Sequence, residues 1–160
     1  FTEQHANLQY WGQSGGMNES FSDMAAQAAE YYSEGHSSWM IGNDIVKDSV
    51  DLEALRFMDR PSKDSRSIDT SDDYYDGLDV HFSSGVYNRL FYLMATTDGW
   101  NAHKAFDVMV KANQDYWTPY TSFDEGACGV ISAAADLDYS IGEVKAALDT
   151  VKVKYDSCGN

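Results

Sequence analysis

Two adjacent glycines, Gly15 and Gly16, stand directly ahead of a stretch whose apolar residues recur at helical spacing: Met17, Phe21, Met24, Ala28 and Tyr31. Glycine tolerates positive φ, so the pair reads as a sharp chain reversal that opens onto a helix. Asn18 is placed to cap that helix, and an acidic Glu19 in its first turn complements the helix dipole. The expected span is Asn18 to Ser33, with Gly35 as the C-terminal stop. Glu19 and Asp23 are four residues apart and share another face. Side by side on a bare helix they repel mildly. A cation beside them reverses that sign, whereas a solvated acidic face needs none.

Helical signals dominate the rest of the chain. A short helix is expected around Leu52 to Met58, ended by Pro61, followed by a long polar loop over Ser62 to Asp73. Ser83-Ser84-Gly85 opens a second strong helix with Val86, Leu90, Leu93 and Met94 on its apolar face, and Asp98-Gly99 breaks it. A third helix is expected from Ala102 to Tyr116. A fourth starts at the capping box Ser122-x-x-Glu125 and a last at Ser140-x-x-Glu143. Strand signals are few. The pattern predicts an all-α fold, a helical bundle of about five or six helices with short connections. With 160 residues, one domain can bury about 70% of the surface of its unfolded chain. The net charge of −15 argues against nucleic acid as a partner, and no apolar run approaches a membrane span.

Asp79-Val80-His81 precedes the second helix. An Asp two residues from a His can orient an imidazole, or the segment can be a helix cap with a surface His. Asp76 competes with Asp79 as the partner. Cys128 and Cys158 are either free thiols or one bridge. A bridge closing a loop of about 30 residues is worth roughly 3–4 kcal/mol in the chain-entropy model and points to an extracellular compartment.

The run Tyr10-Trp11-Gly12-Gln13-Ser14 through Gly15-Gly16-Met17-Asn18-Glu19-x-x-Ser22-Asp23 resembles the third-ligand motif of the thermolysin family of zinc metallopeptidases, and within it the vibriolysin and pseudolysin branch. That resemblance implies the mostly helical C-terminal domain over nearly the whole chain. It makes Glu19 a zinc ligand and Asp23 the partner that holds a ligating imidazole. It gives His81 and Tyr10 roles at the oxyanion, with Asp79 holding the second ring nitrogen of His81. Leu55, Ile41 and Ile45 match positions lining the main specificity pocket, and Arg56 the residue that binds a substrate carbonyl. Glu30 is retained from a carboxylate-rich calcium site, but Gln27 and Ser38 stand where related enzymes carry acidic ligands, so calcium is expected to bind weakly or not at all. The branch also implies the Cys128–Cys158 disulfide and secretion.

The family's H-E-x-x-H, which supplies two zinc ligands and the general base, does not occur in these residues, and Phe1 to Leu8 are expected to be the frayed end of the helix that carries it. The chain is therefore expected to be the C-terminal half of a secreted zinc endopeptidase. Its partners would be an N-terminal domain of the same enzyme and peptide substrates with a large hydrophobic residue on the leaving-group side. Alone, it is expected to bind zinc poorly and to hydrolyse nothing. The alternative is a stand-alone, non-catalytic helical module, such as an autolytic fragment, that folds or binds through its cleft face.

Overall fold

The computed structural model describes residues 1–47 and 52–158. Its axis is α1, Gly12–Glu34, a helix of 23 residues that packs against four of the later helices, α2 (Val80–Ser83), α3 (Gly85–Ala95), α4 (Ala102–Asp115) and α5 (Phe123–Asp136). Met17, Phe21 and Met24 are its buried stripe. The helix ends where expected, at Gly35 with φ 77°, whose N–H returns to the Tyr31 carbonyl. A left-handed stop of this kind is cheap only without a Cβ.

The beginning of α1 differs from the sequence expectation. The glycines do not form a turn ahead of the helix; they lie inside it. Asn18 is not the N-cap but a mid-helix residue, and its Nδ2 donates to the Leu8 carbonyl at 2.9 Å. The glycines are needed for contact instead. A Cβ at Gly15 would lie 2.5 Å from Val80 Cγ1, and one at Gly16 would lie 3.2 Å from the Ser83 backbone carbon and closer still to its Oγ. The two small residues let α2, Val80–Ser83, press directly against α1.

The remaining helices are α3 (Gly85–Ala95), α4 (Ala102–Asp115), α5 (Phe123–Asp136) and α6 (Ile141–Thr150). Asn101 caps α4 by accepting from Lys104 N. Ser122 and Glu125 form the expected reciprocal capping box of α5. The second expected box does not form: Ser140 occupies the N-cap of α6 without a side-chain bond. The core is aromatic at its centre. Tyr87 is fully buried between Trp117 and Phe123, with its hydroxyl donating to the Phe123 carbonyl at 2.7 Å. The bundle is all-α, as the periodicity predicts. Cys128 and Cys158 are bridged, with Cα atoms 5.2 Å apart, tying the tail to α5.

Two other segments depart from expectation. The helix expected at Leu52 to Met58 is absent among its described residues. Arg56–Phe57 instead forms β2, antiparallel to β1, Met40–Ile41, with Ile41 opposite Arg56. Residues 1–8 are not a frayed helix end: Thr2–Gln4 is a 3₁₀ turn, and Thr2, Ala6 and Leu8 are buried. The Ala6 N–H donates to Asn113 Oδ1 on α4 and the Gln9 N–H to the Pro119 carbonyl, which holds the segment against the bundle. Because the α1–α2 contact leaves no room for a side chain, Gly16→Val is expected to destabilise the fold by about 1–3 kcal/mol, read as a lower urea midpoint at unchanged slope.

Candidate active site

The α1–α2 contact brings together side chains that are far apart in the chain. Asp79 is the N-cap of α2, and its Oδ1 accepts the His81 backbone N–H at 2.9 Å. The same oxygen lies 2.7 Å from His81 Nδ1. One carboxylate thus caps the helix and orients the ring, and these two contacts with His81 hold its pKa below the ordinary carboxylate range. Asp79 therefore wins over Asp76 because its cap geometry already places it beside the ring. With Nδ1–H directed at Asp79, His81 presents Nε2 to Tyr10 Oη at 3.3 Å and to Glu19 Oε2 at 3.8 Å. Tyr10 Oη also donates to Glu19 Oε1. Tyr10, Glu19, Asp79 and His81 therefore converge on one face, although 71 residues separate Tyr10 from His81.

The bond to Glu19, reinforced by partial burial and by the charges of Glu19 and Asp79, pushes the Tyr10 phenol up to about 12. The phenol therefore remains a proton donor under any ordinary condition. Its contribution to stability is fully present below the ordinary tyrosine value of 10.0 and is lost as pH rises from there towards about 12.

One turn beyond Glu19, Asp23 is buried and bidentate with Arg56: Nε and Nη2 each donate at 2.7 Å. Asn88 Nδ2 donates to Asp23 Oδ2 at 2.9 Å, and Ser20 Oγ donates to Asn88 Oδ1 at 2.7 Å. Asn88 and Ser20 are the site residues that the sequence reading missed. The available signal was a polar Asn88 beside Tyr87 in the amphipathic run from Val86 to Phe91, which also carries Arg89. The pairing raises the pKa of Arg56 and fixes its plane. Two of its five N–H groups go to Asp23, so its fork retains donors for another oxygen.

The β1–β2 ladder sets Ile41 beside Arg56, and Leu55 N donates to the Ile41 carbonyl at 2.8 Å. Leu55 packs over Gly42 and remains 48% exposed; Ile45, in the turn that follows, is 76% exposed. This apolar surface adjoins Arg56. At the far end of α1, Glu30 Oε2 accepts Ser38 N at 3.0 Å and Ser38 Oγ at 2.9 Å. Gln27 clamps the same loop by accepting from Trp39 N and donating to the Met40 carbonyl.

Among the described residues, no group of three or more His, Cys, Asp or Glu is placed to hold a metal. A catalytic zinc takes three protein ligands and an open position. Glu19 offers an oxygen of the required type; His5 lies tilted against Phe1, and His36 and His103 are exposed. The donor set fits one corner of such a site. No described helix is long and apolar enough to cross a membrane.

Fold and site together define an all-α domain that offers a carboxylate, a phenol and a carboxylate-held imidazole at one face. The sequence model of the "Thermolysin metallopeptidase, alpha-helical domain" matches residues 6–153, and the chain belongs to that family. It is 66% identical to the zinc metalloproteinase MspA of Legionella longbeachae over 158 residues, covering 99% of this chain and 30% of that protein. It is 54% identical to the neutral protease of Vibrio proteolyticus over 159 residues, covering 99% of this chain and 26% of that one. Among solved structures, the precursor of protealysin, a metalloproteinase from Serratia proteamaculans, superposes with a TM-score of 0.88 at 26% identity, over 95% of this chain and 53% of that chain. The chain thus spans about a quarter to a third of the length of these curated relatives.

In a difference titration at 295 nm, wild type minus Tyr10→Phe is expected to show one phenol with a midpoint near 12. Glu19→Gln should move that midpoint back towards 10. A midpoint near 10 in the wild-type difference would mean that the Tyr10–Glu19 bond does not hold in solution.

Proposed function

We propose that this chain is the C-terminal half of a secreted zinc endopeptidase, supplying one metal ligand and the oxyanion donors. The observation that carries the reading is the convergence of Tyr10 and the Asp79-held His81 on Glu19. Glu19 would ligate zinc, with the remaining ligands and the general base contributed from outside these 160 residues. Bound zinc polarises a scissile carbonyl and lowers the pKa of its bound water. Asp23, anchored by Arg56 and Asn88, would fix a ligating imidazole through a remaining lone pair.

Tyr10 Oη and His81 Nε2 face the same space, so both can donate to the oxygen that gains charge in the tetrahedral intermediate. With Nδ1–H engaged by Asp79, His81 can donate through Nε2 only as the imidazolium. Tyr10 must release Glu19 to take up its role, which the charge of a bound cation on Glu19 would promote. Arg56 would hold a substrate carbonyl with its free fork, next to a pocket of Ile41, Ile45 and Leu55 for a large apolar side chain on the leaving-group side. The disulfide supports an oxidising, extracellular location.

In the complete protein, Tyr10→Phe and His81→Ala are each expected to lower kcat by about 10²–10³ with KM little changed, and Glu19→Ala to lose zinc. The chain of 160 residues alone should contain almost no zinc by atomic emission and leave casein intact. Stoichiometric zinc with activity in that sample would overturn the incomplete half-site. In the same reading Glu30 holds the Ser38–Met40 loop by hydrogen bonds rather than through calcium. A calcium chelator should therefore leave the melting temperature of this chain unchanged; a clear drop would restore a calcium role.

A further inference from the structure

Asp76 is free of the role that its spacing from His81 suggested, because Asp79 holds that ring. It lines instead an open groove with Trp11, Gly12, Tyr74, Tyr120 and Ser122, beside the N-terminal end of α1. We propose that this groove is a substrate subsite for a lysine or arginine side chain, about three residues from the scissile bond on its acyl side. The position rests on the peptidase reading above; the preference for a cation rests on the groove itself.

Its cavity of about 230 Å³ suits one long side chain. Trp11 is 64% and Tyr120 70% exposed, so two large aromatic rings stand in water around an exposed carboxylate. Aromatic faces carry the negative end of a quadrupole and attract ammonium and guanidinium groups, Trp most strongly. Asp76 adds a full negative charge beside them; burial and, after it, the Asp76 charge raise the pKa of the neighbouring Tyr74 phenol. No Lys, Arg or His lines the groove, and the net charge of the chain is −15. An aliphatic side chain would gain only the apolar part of this environment, and an acidic one would be repelled.

The register follows from α1. Gly12 and Glu19 are seven residues apart, two helical turns, and lie on the same face; Asp23 follows one turn later. Along the helix the order is groove, then Glu19 with Tyr10 and His81, then Asp23 with Arg56. The groove and Arg56 therefore flank the reacting centre from opposite sides, and Arg56 marks the leaving-group side. The rise from Gly12 to Glu19 is about 10 Å, and an extended peptide advances about 3.3 Å per residue, which gives three residues. Trp11, which lines the groove, is covalently adjacent to Tyr10 of the centre.

The test uses the complete protease and internally quenched peptides that share one cleaved bond and differ only in the third residue before it: Arg, norleucine or Glu. Wild-type kcat/KM is expected to favour Arg over norleucine by about tenfold and to place Glu lowest. The Arg-to-norleucine ratio should fall towards one in Trp11→Ala and in Asp76→Asn, and Asp76→Lys should reverse the order of Arg and Glu. A ratio within one enzyme is insensitive to the fraction of each variant that folds. Equal cleavage of all three peptides, a preference for norleucine, or a ratio unaffected by the variants would overturn the cationic subsite and leave the peptidase reading standing. Failure of the wild type to cleave any of them would overturn both.

Discussion

The site depends on one close contact: α2 lies against the backbone of α1 at Gly15 and Gly16. That approach sets the height at which the Asp79–His81 pair meets Glu19. A side chain at either glycine would move α2 outward by a large fraction of a carbon diameter. Hydrogen-bond distances tolerate only a few tenths of an ångström, so the triad would open. The glycines are functional through packing rather than through φ, since their own conformation is ordinary helix.

A second constraint reinforces the first. The buried carboxylate of Asp23 is satisfied by Arg56 from β2 and by Asn88 from α3. Removing a partner from a buried charge exposes its full desolvation cost, which makes this junction intolerant of half-measures. It ties β2 and α3 to the turn of α1 after Glu19. The small β1–β2 ladder is therefore no accessory: it delivers Arg56 to Asp23 and sets Ile41 opposite Arg56. Polar pairing, not apolar burial, fixes this side of the site. The aromatic core around Tyr87 fixes the rest.

Much of this was legible in the sequence. The apolar period of α1, its glycine stop, the Ser122–Glu125 box and the apolar face of α3 are local properties, and they appear where the pattern puts them. The Asp79–His81 pair was readable because cap and imidazole are two residues apart. The failures have physical causes. The α1 start was misread because a Gly-Gly pair signals a turn locally and a close crossing tertiarily, and only the neighbour distinguishes them. Leu52 to Met58 carries helix-forming residues, but pairing with Met40–Ile41 and the ion pair to Asp23 outweigh propensity. The second capping box has the right letters, yet its Ser140 side chain makes no cap bond.

By itself the sequence determined most of the helices, their stops and the chemical inventory: two carboxylates on one face of α1 and an imidazole with a carboxylate two residues before it. These follow from interactions within a few residues, whose geometry the chain itself dictates. Only the tertiary structure decided that Tyr10 bonds Glu19, that Asp23 belongs to Arg56 and Asn88, and that Asp76 faces a groove rather than His81. Those choices join residues 9 to 71 positions apart. They depend on how closely two helices can approach and on which partner a buried charge finds, and no local pattern encodes either.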